Sequence, residues 1–188
     1  MRNKYTKGDY LYIQNKKKNE VLKTVLFFAV SAALYLAGYI STGSNKNYLT
    51  IVAILGCLPA SKSAVSMIMY LKVKGCSPKI YKLISEKIGE GKGAFNLYFT
   101  SYDKNFDTAH VFVKGLTVIA FSENEKFSEP GFEEHIKTVL NRDGIKGINI
   151  KTYKDVEKYI TRVQQMESLE NEKSREEDII KTLFAVSL

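Results

Sequence analysis

Apolar positions follow two unlike patterns along this chain. Between residues 21 and 71 they run almost unbroken; beyond residue 77 they alternate, or recur every three to four positions, between short polar stretches. The first pattern predicts two long helices, residues 21–40 and 48–71, joined by a polar connector at 41–47. A helix rises about 1.5 Å per residue, so roughly 20 apolar residues cross a hydrocarbon layer about 30 Å thick. The first run carries no charge from Thr24 to Asn45, and Lys23 at its margin reaches the headgroups by snorkelling. Its late start, its length and the second run close behind it exclude a secretory signal. Pro59 predicts a kink in the second helix, and one reading breaks it into two half-helices meeting at 59–63. A single kinked span is the better expectation, because one lysine does not forbid insertion.

The second pattern predicts an α+β domain. Ser77-Pro78 reads as an N-cap and first helical residue, opening a helix over 78–88 with Ile80, Leu83, Ile84 and Ile88 on one face. The helix stops at Gly89-Glu90-Gly91-Lys92-Gly93. Strands follow over 94–102, 108–114 and 116–122, with Lys114-Gly115 as a tight turn between the last two. Pro130 opens a helix over 131–141, and 148–153 reads as a fourth strand. Thr152 or Tyr153 introduces a helix over 154–166, and Ser174 with Glu177 forms a capping-box pattern before the apolar run 179–188. In that run Ile179, Ile180, Leu183 and Phe184 form a stripe suited to packing on the sheet. The order is α-β-β-β-α-β-α-α with a mixed or antiparallel sheet. The layout is a basic cytosolic segment (1–20), a two-helix transmembrane hairpin (21–74) and a cytosolic α+β domain (77–188).

Over residues 78–153 this order resembles the restriction-endonuclease-like fold. The resemblance implies an acid on the second strand and an acid-x-lysine on the third, holding a metal against a phosphate. Asp107 precedes the second strand here. The third, LTVIAFSENEK, carries Glu123, Glu125 and Lys126 past its end and without that spacing. The resemblance therefore implies an inactive version.

Charge sharpens the division. Residues 1–77 hold eleven Lys/Arg against two acids, a net of +9, and the other 17 basic and 18 acidic residues give the domain −1. The positive excess flanks the apolar runs, which suits anionic lipid rather than nucleic acid. Lys16, Lys17, Lys18 and Lys23 lie before the first run and Lys72, Lys74 and Lys79 after the second, against Lys46 alone in the connector. The positive-inside rule then places both termini in the cytoplasm of a multi-pass cell-membrane protein. Cys57 and Cys76 form no C-x-x-C pair, so neither a disulfide nor a zinc site is expected. The abundance of Lys, Asn and Ile suits an AT-rich bacterial source.

Lys62 is the leading functional candidate, because a charge within an apolar run needs a compensating water, acid or lipid phosphate. Ala29, Ala33 and Ala37 on the first helix and Gly56, Ala60 and Ala64 on the second are spaced for close helix packing. Asp103, Asp107 and Glu123 are weak catalytic candidates that would meet near one sheet end. Gly89-x-Gly91-x-Gly93 joins a helix to a strand, the reverse of a phosphate cradle, and reads as a flexible loop. His110 and His135 lack paired ligands, and His135 sits among Glu133, Glu134 and Lys137 on a face that reads as solvated. No metal or cofactor is expected. The expected partners are the lipid bilayer and a protein partner or a second copy, with no nucleic acid. Three functions fit: a non-enzymatic membrane-anchored interaction or scaffold protein, a membrane-bound metal-dependent phosphoester hydrolase, and an accessory subunit of a transport assembly.

Overall fold

The long apolar pattern forms two helices, α1 (Tyr12–Thr42) and α2 (Tyr48–Lys72), in a computed structural model that describes residues 5–89, 93–102, 104–167 and 173–188. α1 starts well before its apolar run. The polar residues ahead of that run are good helix formers, and Glu20 holds Lys16 (3.8 Å) and Lys23 (2.9 Å) at helical spacing. At the far end Gly43 takes φ +64° and donates its N–H to the Tyr39 carbonyl (2.8 Å), a left-handed cap that few other residues accept. Asn47 opens α2 by accepting the Thr50 N–H (2.8 Å). α2 then runs unbroken through Pro59 as one helix rather than two half-helices.

α1 and α2 pack as an antiparallel hairpin along a small, polar seam. The Thr24 and Ser63 hydroxyls hydrogen-bond at 2.9 Å. A Cβ at Gly56 would come within 2.7 Å of Ser31 Oγ, and one at Gly38 within 2.9 Å of Leu49 Cβ. Thr24, Ser31 and Gly38 are buried on α1, and Ala53, Ala60 and Ser63 on α2. Gly56 and Ala60 thus face α1, and Ala64 is half-buried, whereas Ala29, Ala33 and Ala37 are exposed. The alanine row on α1 is therefore not the seam within this chain. Hydroxyls among apolar groups gain by pairing, which alanine cannot offer.

The chain divides into two compact units, one over Ile13–Val73 and one formed by the stretch ending at Tyr12 together with Lys74–Leu188. The second unit is an α+β domain in the expected element order: α3 (Pro78–Ile88), β1 (Ala94–Thr100), β2 (Asn105–Lys114), β3 (Thr117–Phe121), α4 (Glu129–Arg142), β4 (Asn149–Tyr153), α5 (Val156–Glu167) and α6 (Lys173–Val186). The sheet order is β1-β2-β3-β4. The first three strands are antiparallel, and β4 returns through α4 to lie parallel to β3. β3 is buried on both faces, so its sequence TVIAF reads as an apolar run without alternation. Val118 and Ala120 join Phe99, Phe132, Leu140 and Leu183 on the face covered by α4 and α6. Ile119 and Phe121 join Ile84, Phe112, Tyr159 and Val163 on the face covered by α3 and α5.

The caps differ in two places from expectation. Asp155, rather than Thr152 or Tyr153, caps α5 by accepting the Glu157 and Lys158 N–H groups (2.9 and 3.2 Å); Thr152 is inside β4. Ser174 lies within α6 instead of ahead of it. The stripe on α6 packs on the sheet, with Ile179 and Leu183 buried and Ile180 and Phe184 beside them. The chain then ends along β1, where Ser187 bridges to Phe99 and the Leu188 N–H reaches the Tyr98 carbonyl (2.8 Å).

Candidate functional site

The start of β2, the loop after β3 and residues 74–75 line a cavity of about 470 Å³, with Lys74, Asp107, Glu123, Glu125 and Lys126 on its walls. Asp107 and Glu123 therefore meet at one sheet end, because antiparallel pairing brings the start of β2 beside the end of β3. Ser122 Oγ fastens the two by donating to the Asp107 carbonyl (2.7 Å). Asp103 lies outside the described residues. Among those described, no three His, Cys, Asp or Glu side chains gather to hold a metal ion.

Both carboxylates hold backbone. Asp107 Oδ2 accepts the N–H groups of Lys74 (2.9 Å) and Gly75 (3.4 Å), and Glu123 Oε1 accepts that of Ser77 (2.7 Å). Between them the Cys76 N–H donates to Asn96 Oδ1 (2.5 Å). Four consecutive backbone donors thus end on side-chain oxygens from β1, β2 and the loop after β3. A segment outside helix and sheet must satisfy its N–H groups somewhere, and here the sheet end supplies the acceptors. Cys76 is buried within this clamp; burial, then the neighbouring charges of Glu123 and Asp107, push its thiol pKa well up.

Asn96 extends the clamp to a second stretch of chain. Its Nδ2 donates to the Tyr10 carbonyl (2.7 Å), beside a Tyr10–Tyr81 stack at 3.9 Å. The Phe95 N–H donates to the Gly8 carbonyl (2.7 Å), and Lys7 Nζ donates to the carbonyls of Phe184 and Ser187 (both 2.7 Å), satisfying the end of α6. None of these roles was read from sequence. A usable signal did exist: Asn96 interrupts the apolar strand AFNLYF, where asparagine is disfavoured.

Both histidines pack against aromatic rings. His110 lies fully buried in β2 between Phe95 and Phe121, with Nδ1 2.6 Å from the Tyr159 hydroxyl, whose pKa burial raises well above its usual value. His135 is half-buried and stacks on Phe106 (5.7 Å) rather than facing solvent, because α4 turns that position toward the start of β2. Burial lowers its pKa, and its Nε2 finds no hydrogen-bond partner.

The chain matches no family model, no curated protein and no solved structure. In the hairpin, Lys62 is exposed on α2, flanked on its helix face by exposed Leu58 and Val65. Lys16 lies over the Tyr70 ring (5.9 Å) and Lys17 donates to the Val73 carbonyl, so the basic residues gather at the end of the hairpin away from the connector.

Proposed function

We propose that this chain is a non-enzymatic interaction protein anchored in a membrane by its hairpin, with both termini and the α+β domain in the cytoplasm. The observation that carries the reading is the exposed surface of the hairpin. Both helices are long and apolar enough to cross a bilayer, yet only 17% of the most apolar window of each is buried. Leu26, Ile40, Ile54 and Leu58 are among the large side chains left outside. A water-soluble protein rarely shows so continuous an apolar surface, and a bilayer is the solvent that suits it. The lysines at one end favour the cytoplasmic side for that end.

A topology experiment tests this reading. With Cys57 replaced by serine, a cysteine at Ser44 in the connector should react with a membrane-impermeant maleimide on intact cells, and one at Glu125 only after the cells are opened. Reaction of both from outside, or recovery of the protein in the aqueous fraction, would remove the reading. Cross-linking in native membranes should then capture a stoichiometric partner or a second copy, and an isolated monomer counts against an interaction role.

The meeting of Asp107 and Glu123 in one cavity favours a second reading, the metal-dependent phosphoester hydrolase. The two separate cleanly. If the carboxylates only hold backbone, Asp107→Ala should lower stability by about 2 kcal/mol, the scale of hydrogen bonds to a charged group. The wild type should then show no Mg²⁺- or Mn²⁺-dependent hydrolysis of bis(p-nitrophenyl) phosphate. A hydrolase would show that activity and lose it in Asp107→Asn while staying folded.

A further inference from the structure

We propose that Lys62 binds the phosphate of an anionic phospholipid in the cytoplasmic leaflet, an inference that rests on the hairpin lying in a bilayer as proposed above. The hairpin register carries it. Thr24 faces Ser63, Ser31 faces Gly56 and Gly38 faces Leu49, so the pairing is constant along the seam. That register sets Lys62 level with Val25 and Lys23 level with Ala64. The two lysines lie within about 3 Å of each other along the hairpin, although sequence alone places one at the edge of its run and the other near the middle.

Depth follows from the connector. From Ile40, the last apolar residue of α1, to Thr24 is about 24 Å of helix, against a hydrocarbon layer of about 30 Å. Lys62 therefore sits about one helical turn inside the cytoplasmic boundary, within reach of the phosphates on an extended side chain. Beyond it the hairpin carries Lys16, Lys17, Glu20 and Tyr70, a mixture suited to headgroups.

Charge pairing then singles out Lys62. Lys23 and Lys16 share Glu20, and Lys17 donates to the Val73 carbonyl. Among the described residues no acid pairs with Lys62, and its face, with Leu58 and Val65 exposed on either side, turns away from the seam. An unmatched cation on a lipid-facing surface one turn below the headgroups takes its counter-charge from a lipid phosphodiester.

Two measurements on the full-length protein test this. The chain has no tryptophan, so Val25→Trp reports the level of Lys62 without replacing it, and Val30→Trp, on the exposed face of α1 about 15 Å from Ile40, reports the midplane. In vesicles containing brominated lipids, Val30→Trp should be quenched best by bromines near the chain ends and Val25→Trp by bromines closer to the headgroup. Native mass spectrometry of protein released from vesicles of equal phosphatidylglycerol and phosphatidylcholine should show phosphatidylglycerol retained preferentially. Lys62→Gln should cut that preference roughly fivefold, the scale of one juxtamembrane lysine, and Lys62→Arg should keep it. Equal retention of both lipids by the wild type, unchanged preference in Lys62→Gln, or cross-linking of position 62 to a protein acid would each overturn the lipid site. So would quenching of Val25→Trp at the depth of Val30→Trp. Absence of quenching at Val30→Trp would instead remove the bilayer reading, and the lipid site with it.

Discussion

Replacing Asn96 with alanine should destabilise the α+β domain by about 4 kcal/mol, summing two buried polar groups left unpaired and a left-handed residue without its usual tolerance. Asn96 is buried and has φ +58°, a conformation that asparagine adopts more readily than other side chains. Its amide serves two stretches distant in sequence, accepting from the Cys76 N–H and donating to the Tyr10 carbonyl. Alanine leaves both groups enclosed without a partner and strains the backbone. Asn96→Gly isolates the backbone share and should recover about 1 kcal/mol of the loss. Denaturation of the detergent-solubilised chain, followed by circular dichroism, measures both. A loss below about 1 kcal/mol for Asn96→Ala would mean that water replaces the amide and the clamp contributes little.

The second large effect is expected at Gly93. Gly93→Ala should destabilise the domain by about 3 kcal/mol, because overpacking adds to an unfavourable φ. Gly93 has φ +82°, and a Cβ there would lie 2.6 Å from both His110 Cε1 and the Val111 carbonyl oxygen. One of those atoms is backbone and the other belongs to a ring held by Tyr159, so neither yields easily. Removing the ring as well, in Gly93→Ala/His110→Ala, should not restore stability, since the Val111 carbonyl stays in the way. A thermal midpoint within about 2 °C of wild type for Gly93→Ala would show that the strand edge shifts freely.

This glycine shows how far sequence reading reached. The helix over 78–88 ends at Gly89 as expected, and residues 90–92 of the glycine run lie outside the described residues. The need for glycine at 93, however, comes from His110 and the Val111 carbonyl on the neighbouring strand, and those neighbours exist only after β1 and β2 pair. The same limit applies at the sheet end. Asp107 and Glu123 were legible as acids near turns, and their meeting follows from strand order. Their occupation by the N–H groups of residues 74, 75 and 77 was not legible, because it depends on where an irregular segment crosses the sheet. His135 was misread as solvated because its flanking acids and Lys137 disguise a helix face that Phe106 covers.

The sequence by itself determined the two long apolar helices, the connector between them, the uneven distribution of charge, and the order and type of all the elements of the domain. These are properties of local periodicity and capping, which residues three or four positions apart settle between themselves. Tertiary structure alone decided the seam of the hairpin, the clamp at Asn96 and the level of Lys62 along the hairpin. Each depends on register between segments far apart in the chain. Several small-residue faces would allow the two helices to meet, and the Thr24–Ser63 hydrogen bond with the close approaches at Gly38 and Gly56 selects one of them. That selection puts Lys62 level with Val25.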